Sequence, residues 1–316
     1  MPHPSRARIL FAFLAVYLVW GSTYLAIRLA LETMPAFFLA GTRFVIAGLL
    51  LFAWLGWRAT RGGDPVRMTA AHWRSAFIVG SLLFVCGNGA VVWAQRTVPS
   101  GLAALMIGGA PLWFALLGWL VFRERRPSFG AFAGILIGLS GIALLFLPGA
   151  LGANVAVDRF GAATIVVGSM GWVTGSLLMR RLELPKSPFV ATAMEMTAGG
   201  LGLLVLSAAT GEWSRVDPES WTTRSLLAWT YLVLFGSVLA TTAYVWLLGV
   251  VSSVRVATYA YVNPVVAVLL GCLVLREPFT ARVALATAII IGGVAMVLVS
   301  QSRATAGQVS RNELGS

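Results

Sequence analysis

Ten apolar runs of roughly 20 residues, each long enough to span a bilayer, follow one another along the chain with little polar sequence between them. They are Ile9–Leu31, Pro35–Trp57, Ser75–Gln95, Ser100–Phe122, Ser128–Leu147, Phe160–Met179, Pro188–Thr210, Leu226–Leu248, Val254–Leu275 and Ala281–Ser300. A helix of roughly 20 residues crosses a ~30 Å hydrocarbon layer, and it does so with every backbone group satisfied internally. The pattern predicts an all-α membrane protein of ten transmembrane helices, with almost no chain left for an extramembrane domain. Composition agrees, because 59% of the 316 residues are hydrophobic and only 11% are charged. A soluble domain carries about 25% charged residues, so a soluble enzyme is excluded. Arg6 and Arg8 precede the first run, but that run is too long for the core of a signal peptide and reads as a retained helix.

The basic residues set the orientation. With the N-terminus cytoplasmic, the inner side carries Arg6, Arg8, Arg58, Arg61, Arg67, Arg74, Arg123, Arg125, Arg126, Arg180, Arg181, Lys186, Arg255, Arg303 and Arg311. The outer side receives only Arg28, Arg96, Arg159, Arg215, Arg224, Arg276 and Arg282. Both termini are therefore expected in the cytoplasm. The net charge of +12 is mostly this orientation signal, which argues against a nucleic-acid partner.

The second half of the chain repeats the first. An offset of 153 carries Pro111, Gly118, Arg123 and Glu124 onto Pro264, Gly271, Arg276 and Glu277, and Ser100 onto Ser253. An offset of 152 carries Trp20, Arg28 and Phe37 onto Trp172, Arg180 and Phe189. The expected organisation is a five-helix repeat over 1–147, a connecting loop over 148–159, a second repeat over 160–300 and a cytoplasmic tail over 301–316. Five is odd, so the repeats should lie in the bilayer with opposite topology, the 5+5 inverted arrangement of secondary transporters.

The segments Trp20-Gly21-Ser22-Thr23-Tyr24, Arg43-Phe44, Gly87-Asn88-Gly89, Pro99-Ser100-Gly101 and Tyr259 to Ala267 resemble the EamA-type members of the drug/metabolite transporter superfamily. The resemblance covers all ten spans. It implies alternating access and export of small metabolites such as amino acids or their derivatives across a bacterial inner membrane. It also implies a central cavity lined by helices 1, 3, 4, 6, 8 and 9, with helices 5 and 10 peripheral.

The chemistry available is limited. No G-x-x-x-x-G-K-[ST] loop is present, which excludes an ATP-driven pump built from this chain alone, and no G-x-S-x-G elbow or membrane carboxylate pair suggests an enzyme. Cys86, Cys272, His3 and His72 are too few and too scattered for a metal site, and no cofactor is expected. Ionisable groups within a span are costly and therefore informative. Arg43 in helix 2 and Glu195 in helix 7 are the clear cases, 152 positions apart. Two readings stand: a buried ion pair or two separate structural charges, or a coupling site in which Glu195 takes a proton or a substrate amine and Arg43 a carboxylate.

Tryptophans deep in a span do not belong to an interfacial belt. Trp20 and Trp172, with Tyr244 and Tyr259, are expected to wall a substrate cavity, where flat aromatic faces suit organic or amine ligands. Asn88, Gln95, Thr241 and Asn263 add polar groups at mid-depth, Thr241 being the repeat mate of Asn88. Pro111 and Pro264 should break helices 4 and 9 in matching positions and free carbonyls near Ile107 and Ala260. Gly130, Gly134 and Gly138 form a small face on helix 5 that serves packing within a monomer or the seam of a homodimer. Two rivals share this evidence, an uncoupled facilitator or exchanger and a membrane scaffold that does not transport. The Arg123-Glu124 and Arg276-Glu277 pairs, at opposite membrane sides, are read as anchors or gate latches.

Overall fold

A computed structural model describes residues 5–62, 68–124, 126–146, 158–251 and 253–314. The helices are α1 (Arg6–Ala30), α2 (Ala36–Thr60), α3 (Ala70–Ala94), α4 (Ser100–Leu120), α5 (Phe129–Phe146), α6 (Arg159–Leu178), α7 (Pro188–Ala209), α8 (Thr223–Val250), α9 (Tyr259–Leu275) and α10 (Ala281–Leu314). Nine of these are long and apolar enough, among the described residues, to cross a membrane, and α9 is a shorter apolar helix. The ninth apolar run was expected to be continuous from Val254. Its first turn, Ser253–Val256, is instead a separate helix, and turn residues Ala257 and Thr258 lead into α9.

Local chemistry starts several helices. Ser5 accepts from Arg8 N at α1, Thr69 and His72 form a reciprocal capping box at α3, and Thr222 accepts from Ser225 N at α8. Within their spans, α1, α3 and α8 each widen to a π-helical stretch, at Ala15–Val19, Ser81–Gly89 and Leu232–Leu239. The stretches in α3 and α8 overlap under the repeat offset, and such wide turns leave carbonyls without their usual partners.

Packing follows the repeat. Helices α2 and α7 cross through small residues: a Cβ on Gly48 would fall 2.9 Å from the Ala193 carbonyl and 3.0 Å from Thr197 N. A Cβ on Gly200 would fall 3.0 Å from the Gly41 carbonyl and 2.7 Å from Val45 N. Gly48 and Gly200 are repeat mates, as are Gly41 with Ala193 and Val45 with Thr197. Each contact thus returns as its own mirror, with numbering that rises along one helix as it falls along the other. Helices α5 and α10 cross in the same antiparallel manner, with Gly134 and Gly138 against Gly293 and with Gly130 facing Ser300. The small face of α5 is therefore covered within the chain.

Candidate functional site

The π-helical stretch of α8 organises the centre of the bundle. The Gly236 carbonyl accepts from the Trp20 indole at 3.1 Å, and the next residue, Ser237, accepts from Arg43 Nε at 2.8 Å. One turn therefore holds an aromatic side chain from α1 and a cation from α2. Trp20 in turn meets Tyr244 of α8 at 5.1 Å and Tyr259 of α9 edge-on at 5.4 Å, and the two tyrosines are 5.9 Å apart. Close by, Tyr17 and Thr258 share a 2.5 Å hydroxyl contact. Three of the aromatic residues expected to line a cavity are brought together here.

Asn263, in α9, sets its backbone against α1 one residue beyond Trp20. It is buried, its side-chain oxygen has no protein partner, and its carbonyl lies 3.3 Å from where a Cβ on Gly21 would stand. Trp172 lies elsewhere, in the seam of α3 and α6, where it packs edge-on to Phe84 at 6.2 Å and against Gly87. Asn88 and Thr241 are half-buried on their π-widened helices. Gln95 is fully buried at the end of α3, and neither its amide nitrogen nor its oxygen finds a protein partner.

Arg43 and Glu195 are both buried but form no ion pair with each other, although their helices pack closely. Arg43 bonds Ser237, lies over the Phe44 ring at 4.7 Å, and leaves one terminal nitrogen without a partner. Glu195 has a carboxyl oxygen with no partner. The repeat accounts for the difference: the position equivalent to Ser237 is Phe84, which has nothing to donate or accept. The two kinks meet. The Pro264 ring lies 2.6 Å from the Cβ position of Gly108, and the Ala260 carbonyl 3.3 Å from it. The break in α4 falls at Gly109, two residues beyond the expected Ile107, and Pro111 sits in the first turn of the helix that follows. A proline costs little there, since its missing N–H would have been unsatisfied anyway.

The two ends of the bundle differ. At the end holding the α3–α4 hairpin, Arg28 donates to the Gln95 and Arg96 carbonyls, and Glu277 accepts from Ser100 N at 2.7 Å and Gly101 N at 3.0 Å. Buried Glu212 accepts from Phe37 N and Phe38 N at the start of α2, at 2.8 and 3.1 Å. Thr97 bonds Asp158 at 2.6 Å. That hydroxyl, followed by the Gly161 and Phe160 amides, holds the Asp158 carboxyl below its ordinary range. At the α8–α9 end the side-chain ties include an exposed pair, Glu124 with Arg180 at 3.5 Å, and half-buried His72 with exposed Glu183 at 3.8 Å. Sequence reasoning missed Ser237 and Glu212. The adjacent small residues Gly236-Ser237 within a span were the available signal for the first, and a carboxylate after a helix-ending Gly211 for the second.

The sequence profile of the EamA-like transporter family matches residues 7–147 and again 159–299. The chain belongs to that family. It is 38% identical over 291 residues to the uncharacterized inner membrane transporter YedA of Escherichia coli K12, covering 92% of this chain and 90% of YedA. It is also 22% identical over 309 residues to the uncharacterized transporter YvbV of Bacillus subtilis, covering 98% and 97% of the two chains. A solved crystal structure superposes with a TM-score of 0.61 at 21% identity, covering 94% of this chain and 99% of the other, which is a likeness of fold. The protein is thus a multi-pass membrane transporter of the EamA type.

Proposed function

We propose that this EamA-type protein is a secondary exporter of small metabolites, amino acids or similar amphipathic compounds, working by alternating access between two inverted five-helix repeats in a bacterial inner membrane. Both termini face the cytoplasm. The reading is carried by the reciprocal, antiparallel crossing of α2 and α7, in which repeat-equivalent helices meet through repeat-equivalent residues. Two halves related in this way can exchange conformations, so that the site between them opens first to one side and then to the other. The aromatic wall of Trp20, Tyr244 and Tyr259, with Asn263 beside it, supplies the amphipathic surface. Arg43, with an unpartnered terminal nitrogen, is the group for a substrate carboxylate. Glu195, which forms no ion pair among the described residues and has a carboxyl oxygen without a partner, is the proton site. The buried polar groups argue against a scaffold, for which apolar side chains at these positions would pack at lower cost.

The test is a thermal-shift screen of amino acids, their esters and polyamines on purified protein, followed by flux of each hit in liposomes. Trp20→Leu and Asn88→Leu should each lower flux at least tenfold while leaving the melting temperature within a few degrees. Normal flux in both variants would overturn the site, and the absence of flux for every stabilising ligand would overturn the exporter reading. Flux that is independent of a pH gradient in the unaltered protein would favour the facilitator.

A further inference from the structure

The repeat relates two hairpins and the side chains that flank them. Gln95 and Arg96 lie at the end of α3 and Ser100 and Gly101 begin α4; their equivalents are Leu248 and Gly249 near the end of α8, and Ser253 and Val254 in the short helix before α9. Arg28 has Arg180 as its mate, and Glu277 has Glu124. The structural groundwork is the same in both repeats. Arg123 and Arg276 each adopt a left-handed backbone, with φ of 55° and 54°, a conformation that non-glycine residues take at a cost. Each turns the following glutamate back, so that Glu124 N bonds the Gly118 carbonyl at 2.8 Å and Glu277 N bonds the Gly271 carbonyl at 3.1 Å. Each carboxylate then lies over its own glycine, 2.7 Å from the Cβ position of Gly118 and 2.5 Å from that of Gly271.

The hairpins that face these carboxylates differ. Glu277 holds the first two amides of α4, and Arg28 holds the last carbonyls of α3, so one hairpin is clamped at both of its helix ends. A carboxylate at a helix N-terminus and a cation at a C-terminus each match the local partial charge. Among the described residues neither clamp is made at the other end. Glu124 and Arg180 instead pair with each other, with 45% and 72% of their side chains exposed.

From this asymmetry we infer that Arg28 with Glu277, and Arg180 with Glu124, are two interchangeable latches, each closing one mouth of the transporter. In the described state the α3–α4 mouth is latched. In the opposite state Glu124 takes the amides of Ser253 and Val254, Arg180 takes the carbonyls of Leu248 and Gly249, and the released Arg28 and Glu277 pair with each other. The exchange is isoenergetic in kind: each state has one clamp, made of charge-assisted bonds to backbone, and one surface ion pair. Such a balance lets substrate binding bias the equilibrium. The inference rests on the alternating-access reading and adds to it the side chains that lock each state.

The test uses spin-label pairs at repeat-equivalent positions in a Cys86→Ser, Cys272→Ser background. Arg96→Cys with Phe279→Cys spans the α3–α4 mouth, and Gly249→Cys with Arg126→Cys spans the α8–α9 mouth. In the unaltered latches the first pair should be mostly short and the second mostly long, with a minor population reversed. Arg28→Gln with Glu277→Gln should shift the ratio of the two states about tenfold towards a long first pair and a short second pair. Arg180→Gln with Glu124→Gln, confined to an exposed surface pair, should shift it in the opposite direction without loss of fold. A first pair that lengthens while the second stays long would mean local loosening and would overturn the exchange. Unchanged distances in both double variants, with two populations still present, would overturn the latches but leave alternating access standing. A single population at both mouths, with or without a transported ligand, would overturn both.

Discussion

Arg43 and Glu195 occupy equivalent places in the two repeats, yet their surroundings are chemically unlike. Arg43 has a hydroxyl acceptor in Ser237, whereas the position related to Ser237 beside α3 is Phe84. Removing the acceptor strands a buried donor, which typically costs about 1–3 kcal/mol. Ser237→Ala should therefore lower the melting temperature of the purified protein measurably. Glu195→Gln should lower it far less, because no ion pair is broken and the amide has the shape of a protonated carboxyl. If Glu195 is the proton site, the same Gln variant loses the pH dependence of flux while still binding ligand. A large drop in melting temperature for Glu195→Gln, with pH dependence intact, would return the residue to a purely structural role. That the two positions lie in equivalent spans was legible from their offset. That they do not pair depends on which way each side chain leaves its helix, and spacing alone does not contain that.

At the scale of the helix, the crossing of α2 and α7 depends on backbones approaching through Gly48 and Gly200 rather than on interdigitating large side chains. In a bilayer, close approach of this kind replaces the hydrophobic drive that holds soluble helices together. A leucine at either position must push the neighbouring backbone away, and overpacking of this sort costs about 1–3 kcal/mol. Gly48→Leu and Gly200→Leu should destabilise the protein by similar amounts in a thermal melt, since each meets the mirror image of the other's surroundings. Gly56, with open space around its Cβ position, is the control that should tolerate leucine. A large difference between the Gly48 and Gly200 variants would argue against the reciprocal crossing. The spans themselves were legible from their apolar length. The separate first turn before α9 and the π-helical stretches were not, because hydropathy stays uniform through both features and records no hydrogen-bond register.

For the molecule as a whole, the difference between its two ends is the feature with mechanistic content. Buried Glu212 and half-buried Glu277 cap α2 and α4 at the α3–α4 end, while α7, the repeat mate of α2, starts at Ser187 with no side-chain cap. Amides held by a buried carboxylate open less often than amides at an uncapped helix start. Hydrogen exchange should accordingly be at least tenfold slower at Phe37, Phe38, Ser100 and Gly101 than at Phe189, Val190, Ser253 and Val254. A transported ligand that favours the opposite state should narrow this gap. Equal exchange at both ends would mean that the described asymmetry is not the resting state in solution.

Composition, apolar run length and the repeat offset by themselves determined that this chain is a helical membrane protein made of two related halves. Those properties are written in side-chain hydropathy and in residue identities at fixed separation, both of which are one-dimensional. The aromatic cluster of Trp20, Tyr244 and Tyr259 was foreseeable as residue types, but only the folded bundle selected these three and set Trp172 apart in the seam of α3 and α6. The partner of Arg43 and the capping of one hairpin by Arg28 and Glu277 were likewise decided by tertiary structure. A repeated sequence can encode two equivalent clamps, and only packing in three dimensions says which of them is made in the described structure.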